Sequence, residues 1–396
     1  MGSARRRAVL DDWGSIPMTV AAGDADVQPF RLEIPQADLD ALQQRLALTT
    51  WPDELPGVDW SYGVPLDDVR ELVDHWRTRH DWRAQEARLN EFPQFTAEID
   101  GQRIHFLHVR SDRPDAKPLM ITHGFPSSVA EFLHLIEPLV NPAEGQAFPV
   151  VAPSLPGYAF STPLADTGWA MARTARAWIE LMRRLGYERY GVHGGDVGAG
   201  VSGTVAGLDA EHVMGVHVVT DPLTAANVAT FIPGMADGLD ADDPVDKLIL
   251  ERMAAFRTDG SGYLSIQNTR PQTIGYGLVD SPLLQLAWIA EKVHEWTDLP
   301  VDRDQLLTTV CLYWFTGCGA DAAHTLYEQA HSSDWGPDPA VPQGFAVFGA
   351  DPTVRKLMPA PTDAHWTEFE RGLHFPAMES PEQLAADLRA FFAPLS

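Results

Sequence analysis

A short glycine-rich segment constrains the fold of this chain more than any other feature. Residues 194–198 read Gly-Gly-Asp-Val-Gly and directly follow a strand-like stretch at residues 190–193. Small residues here allow a sharp strand-to-helix turn, which lifts the central side chain clear of the backbone. The pattern is typical of a nucleophile elbow, with Asp196 where serine is usual. A carboxylate nucleophile suits attack on an sp³ carbon, whereas the alternative is an ordinary turn with an exposed aspartate.

Apolar stretches that read as strands alternate with helical stretches over much of the chain. This alternation predicts a parallel sheet with helical crossovers, that is, an α/β fold. The predicted strands are residues 95–100, 104–109, 119–122, 148–152, 189–193, 214–219, 343–348 and 365–369. The first two form a predicted hairpin, and a terminal helix is predicted over residues 381–392. Ligands of such sheets bind at the carboxyl ends of the strands.

The same pattern divides the chain into regions. Residues 1–27 read as a loose N-terminal arm, and residues 28–95 as a helical domain rich in Trp. We expect residues 96–221 and 336–396 to form one α/β core, because their strand–helix alternation resumes after an interruption. The interrupting residues 222–335 read mainly as helices and are predicted to form an inserted lid.

Composition excludes several classes of protein. The chain has 396 residues and a formal net charge of -26, which opposes binding to nucleic acid or to an anionic membrane. No apolar stretch approaches the length of a membrane span, and no signal-peptide pattern follows the N-terminal arginines. Cys311 and Cys318 are too few for a disulfide framework or a metal site. We therefore expect two buried thiols in the cytoplasm.

Partners for the nucleophile are predicted from residues that follow later strands. His374 lies in Gly-Leu-His-Phe before the terminal helix, where it could take a proton from water. Asp351 follows the strand at residues 343–348 and could hold the imidazole in one tautomer. Asp221, which follows the strand at residues 214–219, is a rival for this role. We favour Asp351, although an Asp-Pro pair is also an ordinary turn signal.

A loop after the strand at residues 119–122 carries the sequence His-Gly-Phe-Pro. A tight glycine-containing loop here can present the Phe125 N–H beside that of Val197. Together the two groups would form an oxyanion hole for ester hydrolysis. The alternative is a turn built by Gly and Pro.

Together these motifs resemble the epoxide hydrolases of the α/β-hydrolase fold, in the microsomal and juvenile-hormone group. The matching segments are residues 123–126, 153–158, 194–196, 262–267, 269–273, 280–282 and 372–375. The similarity covers roughly residues 28–393, including a helical N-terminal domain like that of the group.

The resemblance implies a role for each matching residue. It makes Asp196 the nucleophile, His374 the general base and Asp351 the acid that orients it. It also makes Tyr263 and Tyr327 the lid tyrosines that donate hydrogen bonds to the epoxide oxygen, as a phenol can. The family usually has Trp where this chain has Val197, which reshapes the pocket beside the elbow.

These observations predict an enzyme that converts an epoxide and water into a vicinal diol through an ester on Asp196. No metal or organic cofactor is implied, and the partners are a small-molecule epoxide and water, with a homo-oligomer left open. The altered pocket and the Arg-rich composition are compatible with a bacterial enzyme of secondary metabolism that acts on a bulky natural-product epoxide. The alternatives are a dehalogenase with the same carboxylate elbow and a catalytically silent binding protein.

Overall fold

A computed structural model of the protein describes residues 27–358 and 360–396. Within these residues, nine strands form one sheet. The strands are β1 (Val27–Phe30), β2 (Gln94–Ile99), β3 (Gln102–Val109), β4 (Leu119–Thr122), β5 (Val150–Pro153), β6 (Tyr190–Gly194), β7 (Val213–Thr220), β8 (Gln343–Phe348) and β9 (His365–Phe369).

The sheet is mostly parallel, which confirms the predicted fold class. Its strand order is β1-β2-β3-β5-β4-β6-β7-β8-β9. Strands β1, β2, β3 and β5 pair antiparallel, and all pairs from β5 onward are parallel. The predicted hairpin is β2 and β3, joined at Asp100 and Gly101. Strand β1 was not expected, because residues 28–95 were interpreted as helical; it pairs along the outer edge of β2.

Sixteen α-helices lie within the described residues. Those before β7 are α1 (Gln36–Ala47), α2 (Leu66–Thr78), α3 (Trp82–Leu89), α4 (Ile136–Val140), α5 (Met171–Arg184) and α6 (Val197–Leu208). Between β7 and β8 lie α7 (Pro222–Ala229), α8 (Pro244–Ala255), α9 (Gly262–Thr269), α10 (Pro271–Asp280), α11 (Pro282–Glu295), α12 (Arg303–Thr316) and α13 (Gly319–His331). The last are α14 (Pro352–Leu357), α15 (Pro376–Glu379) and α16 (Pro381–Phe392).

The predicted arm at residues 1–27 lies almost entirely outside the described residues. The helices that follow β7 occupy the region predicted to be an inserted lid. None of the helices in residues 27–358 and 360–396 is both long and apolar enough to cross a membrane.

Helices cover both faces of the sheet. Neighbouring residues of a strand point to opposite faces, so Met120 and Ile121 of β4 belong to different clusters. Met120 shares a cluster with Trp178 of α5, whereas Ile121 shares one with Phe392 of α16. Every residue of β4 and β5 is buried, as expected for central strands covered on both sides. The carboxyl ends of these strands are therefore held rigidly, and the candidate site lies there.

Candidate active site

Asp196 lies at the turn between β6 and α6 in a backbone conformation that L-residues rarely adopt. Its φ is 52° and its ψ is -127°. Such a conformation costs on the order of 1–3 kcal/mol and persists only where neighbouring structure enforces it. The turn presents the side chain toward the loop after β4, where the Phe125 N–H donates to Asp196 Oδ1 over 2.8 Å. The loop group predicted for the oxyanion hole thus already contacts the carboxylate.

Close approach of three backbone segments explains the glycines around the turn. A Cβ at Gly198 would overlap the carbonyl oxygen of Thr122 in β4, and one at Gly124 would overlap Asp196 itself. His123 fixes the same loop, because its Nε2 accepts from the Leu155 N–H over 3.1 Å. Burial lowers the pKa of His123 to about 4, so this ring stays neutral. Val197 is the first residue of α6, where backbone N–H groups have no partner inside the helix.

His374 faces the carboxylate from the other side. Its Nε2 lies 3.7 Å from Asp196 Oδ2, and its Nδ1 lies 2.9 Å from Thr224 Oγ1 and 3.5 Å from Asp221 Oδ2. The Thr224 hydroxyl donates to Asp221 over 2.5 Å, so it can only accept from the imidazole. Nδ1 therefore carries a proton, and Nε2 faces Asp196.

The predicted partner of His374 must be corrected from Asp351 to its rival, Asp221. Asp351 caps α14 through the Thr353 N–H, at 2.9 Å, and binds Arg252 at 2.7 Å. Asp221 is 1% exposed and caps α7 through the Leu223 N–H, at 2.8 Å. Both carboxylates follow a strand and precede a proline, so the local sequence does not distinguish them. The packing of the His374 loop beside α7 decides between the two.

Opposing influences act on the protonation of His374. Burial lowers its pKa, but the hydrogen bond that it donates to Asp221 and the charges of Asp196 and Asp221 outweigh burial, and the net shift is upward. Burial raises the pKa of Asp221, but His374 and Thr224 outweigh burial and hold this pKa below its ordinary value. The pair is thus arranged to stabilise an imidazolium next to two carboxylates.

Tyr263 lies beside the site on α9, within the region predicted to be a lid. Its ring stacks on Phe125 at 5.7 Å and packs edge-on against Trp296 at 5.4 Å. The Lys292 Nζ lies 4.9 Å from the ring centroid. Burial and then the charge of Asp196 raise the pKa of the Tyr263 phenol, so it remains a protonated donor next to the carboxylate.

The other predicted lid tyrosine is placed differently. The ring of Tyr327 stacks on His331, one turn further along α13, with the centroids 4.0 Å apart. Its helix neighbours Thr325, Leu326 and Gln329 instead line a cavity next to Val197. Consecutive helical residues point about 100° apart, so a difference of one position turns a side chain away from this cavity.

Two residues that the sequence did not single out belong to this site. Thr224 orients His374. The sequence contained a signal for Thr224, because it lies three residues after Asp221, in the first turn of the helix that Asp221 caps. Glu131 is buried, and burial raises its pKa to about 7, against the lowering influence of Ser127 and His374. A glutamate in a short helical turn has no sequence signature, so only the structure could reveal it.

The described residues form no group of three His, Cys, Asp or Glu side chains that could hold a metal ion. Cys311 and Cys318 are both buried and free. The reactive groups that meet at this site are the Asp196 carboxylate, the His374 imidazole, the Tyr263 phenol and the backbone N–H of Phe125.

A strained carboxylate elbow after a parallel strand, with a late histidine facing it, defines an enzyme of the α/β-hydrolase fold. A model of that fold matches residues 117–261, and a model described as "Epoxide hydrolase N terminus" matches residues 27–132. The chain belongs to the epoxide hydrolase family.

Relatives that match this chain over most of their own length support this assignment. A Stigmatella aurantiaca protein provisionally named as an epoxide hydrolase is 42% identical over 93% of this chain and 85% of its own. Epoxide hydrolase 1 of Sus scrofa is 31% identical over 96% of this chain and 91% of its own. The structure of Aspergillus niger epoxide hydrolase superposes with a TM-score of 0.80 at 32% identity, covering 95% of this chain and 98% of that one.

Proposed function

We propose that this enzyme converts an epoxide into a vicinal diol through a hydroxyalkyl ester on Asp196. One observation carries the proposal: the two carboxylate oxygens face different groups. Oδ1 accepts from the Phe125 N–H at 2.8 Å, whereas Oδ2 lies 3.7 Å from His374 Nε2. One oxygen is thus held as a future oxyanion, and the other is available to attack carbon.

In the first step, Oδ2 of Asp196 attacks an epoxide carbon and the ring C–O bond breaks. Tyr263 donates to the departing oxygen. The charge of Asp196 is one cause of the raised pKa of this phenol, and esterification removes that charge. The phenol thereby becomes a better acid as the alkoxide forms, and it can give the alkoxide its proton.

In the second step, His374 takes a proton from water, and the resulting hydroxide attacks the carbonyl carbon of the ester. The Phe125 N–H, with that of Val197, stabilises the negative charge on Oδ1. The lost charge of Asp196 was also one cause of the raised pKa of His374. The imidazole is therefore more readily neutral in the ester than in the free enzyme. The acyl C–Oδ2 bond of the tetrahedral intermediate then breaks, and the diol leaves with Oδ2 after its alkoxide takes the proton held by His374. The second proton of the water remains on the regenerated Asp196 carboxyl and returns to the Tyr263 phenolate, which restores the free enzyme.

A single turnover in ¹⁸O-labelled water tests this route. We expect one labelled oxygen in the peptide that contains Asp196 and none in the first diol released. His374→Gln should accumulate enzyme heavier by the mass of the epoxide, because ring opening proceeds and hydrolysis does not. Label in the diol with an unlabelled peptide would contradict the ester and indicate direct attack by water.

The size of the substrate is a separate part of the proposal. Val197 is smaller than the Trp found there in the family pattern, so it restricts the approach of a substrate to the nucleophile less. This supports a bulky epoxide, such as one formed in bacterial secondary metabolism, as the substrate. We expect a higher kcat/KM for bulky terminal epoxides than for propylene oxide, and the reverse order would contradict it.

A further inference from the structure

A small, partly open cavity lies on the side of Val197, the residue that follows the nucleophile in the chain. Its volume is about 20 Å³, enough for one water-sized group. The walls come from the loop after β5, the start of α5, the start of α6 and the middle of α13. The lining includes Tyr158, Trp169, Val197, Thr325, Leu326 and Gln329.

Three polar atoms on the lining side chains have no hydrogen-bond partner. They are the hydroxyl of Tyr158, Nε1 of Trp169 and Nε2 of Gln329, and all three are buried. A buried donor left without a partner destabilises a protein, so buried donors are usually hydrogen-bonded to protein, water or a ligand.

All three atoms can serve as donors. The indole Nε1 of Trp169 can only donate a hydrogen bond and cannot accept one. The Gln329 side chain is oriented by the Met171 N–H, which donates to its Oε1 over 2.7 Å and so leaves its NH₂ group free. Thr325, the polar neighbour that lowers the pKa of Tyr158, donates its own proton to the Ala322 carbonyl. The Thr325 oxygen can still accept from the Tyr158 hydroxyl, whereas the N–H groups of Trp169 and Gln329 have no acceptor at this cavity.

The charges nearby favour an uncharged acceptor. Arg173 lies over the Trp169 ring, with its guanidinium carbon 4.2 Å from the ring centroid. Its nitrogens are already bound to Asp100 and Asp166, both at 2.6 Å. Because this guanidinium is already paired, it does not offset a buried carboxylate at the cavity, whereas an ether or carbonyl oxygen needs only the donors.

We propose that this cavity is a subsite for a neutral oxygen acceptor of the substrate, joined to the epoxide by a short linker. The proposal rests on the proposed function, because the cavity is linked to the site only through Val197, which lines the cavity and directly follows the nucleophile Asp196 in the chain. The substrates would then be epoxides that carry an ether or carbonyl oxygen near the ring.

Matched substrates can test this subsite. The set is 1,2-epoxyoctane and its analogues in which an ether oxygen replaces one methylene at a time. We expect one analogue to exceed the hydrocarbon in kcat/KM by about fivefold, mainly through KM, as one added hydrogen bond predicts. Trp169→Phe and Gln329→Glu should remove that advantage. The second change retains the acceptor for the Met171 N–H and removes the free donor.

Trp288→Phe is the matched control, since it also removes a buried indole without a partner, but away from this cavity. It should leave the preference for the ether unchanged. Turnover of 1,2-epoxyoctane reports whether each variant is folded and whether the proposed function holds at all. If that substrate is converted but no ether analogue is preferred, or if the variants affect all substrates equally, the cavity holds only water and the subsite is refuted.

Discussion

Two carboxylates that follow neighbouring strands have different tasks in this molecule. Asp221, after β7, accepts hydrogen bonds from the start of α7 and from Thr224, and it lies 3.5 Å from the His374 imidazole. Asp351, after β8, binds Arg252 at 2.7 Å on a partly exposed surface. The same residue type in the same local pattern thus serves the candidate site in one case and a helix cap in the other.

Asp221→Asn should therefore reduce kcat by about 10²–10⁴-fold, because a neutral amide no longer stabilises the imidazolium or fixes its tautomer. Asp351→Asn is the control and should change kcat little, since Asp351 pairs with Arg252 on a partly exposed surface and not with His374. Steady-state diol formation measures both. Equal losses of kcat in the two variants would restore Asp351 to the site.

The two tyrosines give a second pair of residue-level variants. Tyr263→Phe should slow ester formation by about 10²-fold, because it removes a donor that meets the developing alkoxide. Tyr327→Phe should leave that rate unchanged, since its ring packs on His331. Rapid-mixing measurement of enzyme alkylation distinguishes the steps. A slow Tyr327→Phe variant would show that α13 turns this phenol into the site when substrate binds.

At the scale of elements, the β6–α6 turn depends on how closely α6 approaches β4. Gly198 is in the first turn of α6, against the backbone of Thr122. Gly203 is in the same helix, and a Cβ there would come no nearer than 3.9 Å to another side chain. Close packing therefore requires glycine at position 198 of this helix, whereas it does not require glycine at position 203.

Gly198→Ala should destabilise the protein by several kcal/mol or displace the elbow, because backbone atoms cannot yield as a side chain can. Gly203→Ala should stabilise it by about 0.5–1 kcal/mol through the better helix propensity of alanine. Urea unfolding of both variants measures the contrast. A Gly198→Ala variant as stable and active as Gly203→Ala would mean that the close approach to β4 does not hold the elbow.

At the scale of the whole molecule, the site is assembled from segments that lie far apart in the sequence. The loop after β4, the elbow after β6, the cap of α7, the lid helix α9 and the loop before α15 all meet at one end of the sheet. Their meeting buries Glu131, which is 9% exposed, next to Asp196 and His374. Burial of an acid in this way links folding to pH.

The pKa of Glu131 rises from 4.5 to about 7 on folding. The folded protein therefore retains a proton that the unfolded chain has lost, and the resulting stability is complete below about pH 4.5 and is lost as pH rises through about 7. Relative to Glu131→Gln, the wild type should lose on the order of 3 kcal/mol between pH 4.5 and 8. Urea unfolding across this range measures it. A stability difference that does not vary with pH would contradict a buried, protonated Glu131.

Local patterns in the sequence were sufficient for much of this fold. Strand periodicity predicted β2, β3, β4, β8 and β9 closely, and the small residues around Asp196 predicted the elbow, because such signals depend on near neighbours in the chain. The motifs also predicted that His374 would face the elbow. Strand β1 was missed, since its four residues lie at the sheet edge and alternate weakly.

What the sequence alone determined was the elements and the chemical groups that follow the strands. Which groups meet was decided by tertiary packing. The choice of Asp221 over Asp351, the rotation that turns Tyr327 toward His331, and the burial of Glu131 all depend on contacts between segments distant in the chain. Hydrogen bonds and burial act only over a few ångströms, so their partners are fixed once the sheet and the lid have packed, and no local pattern specifies them.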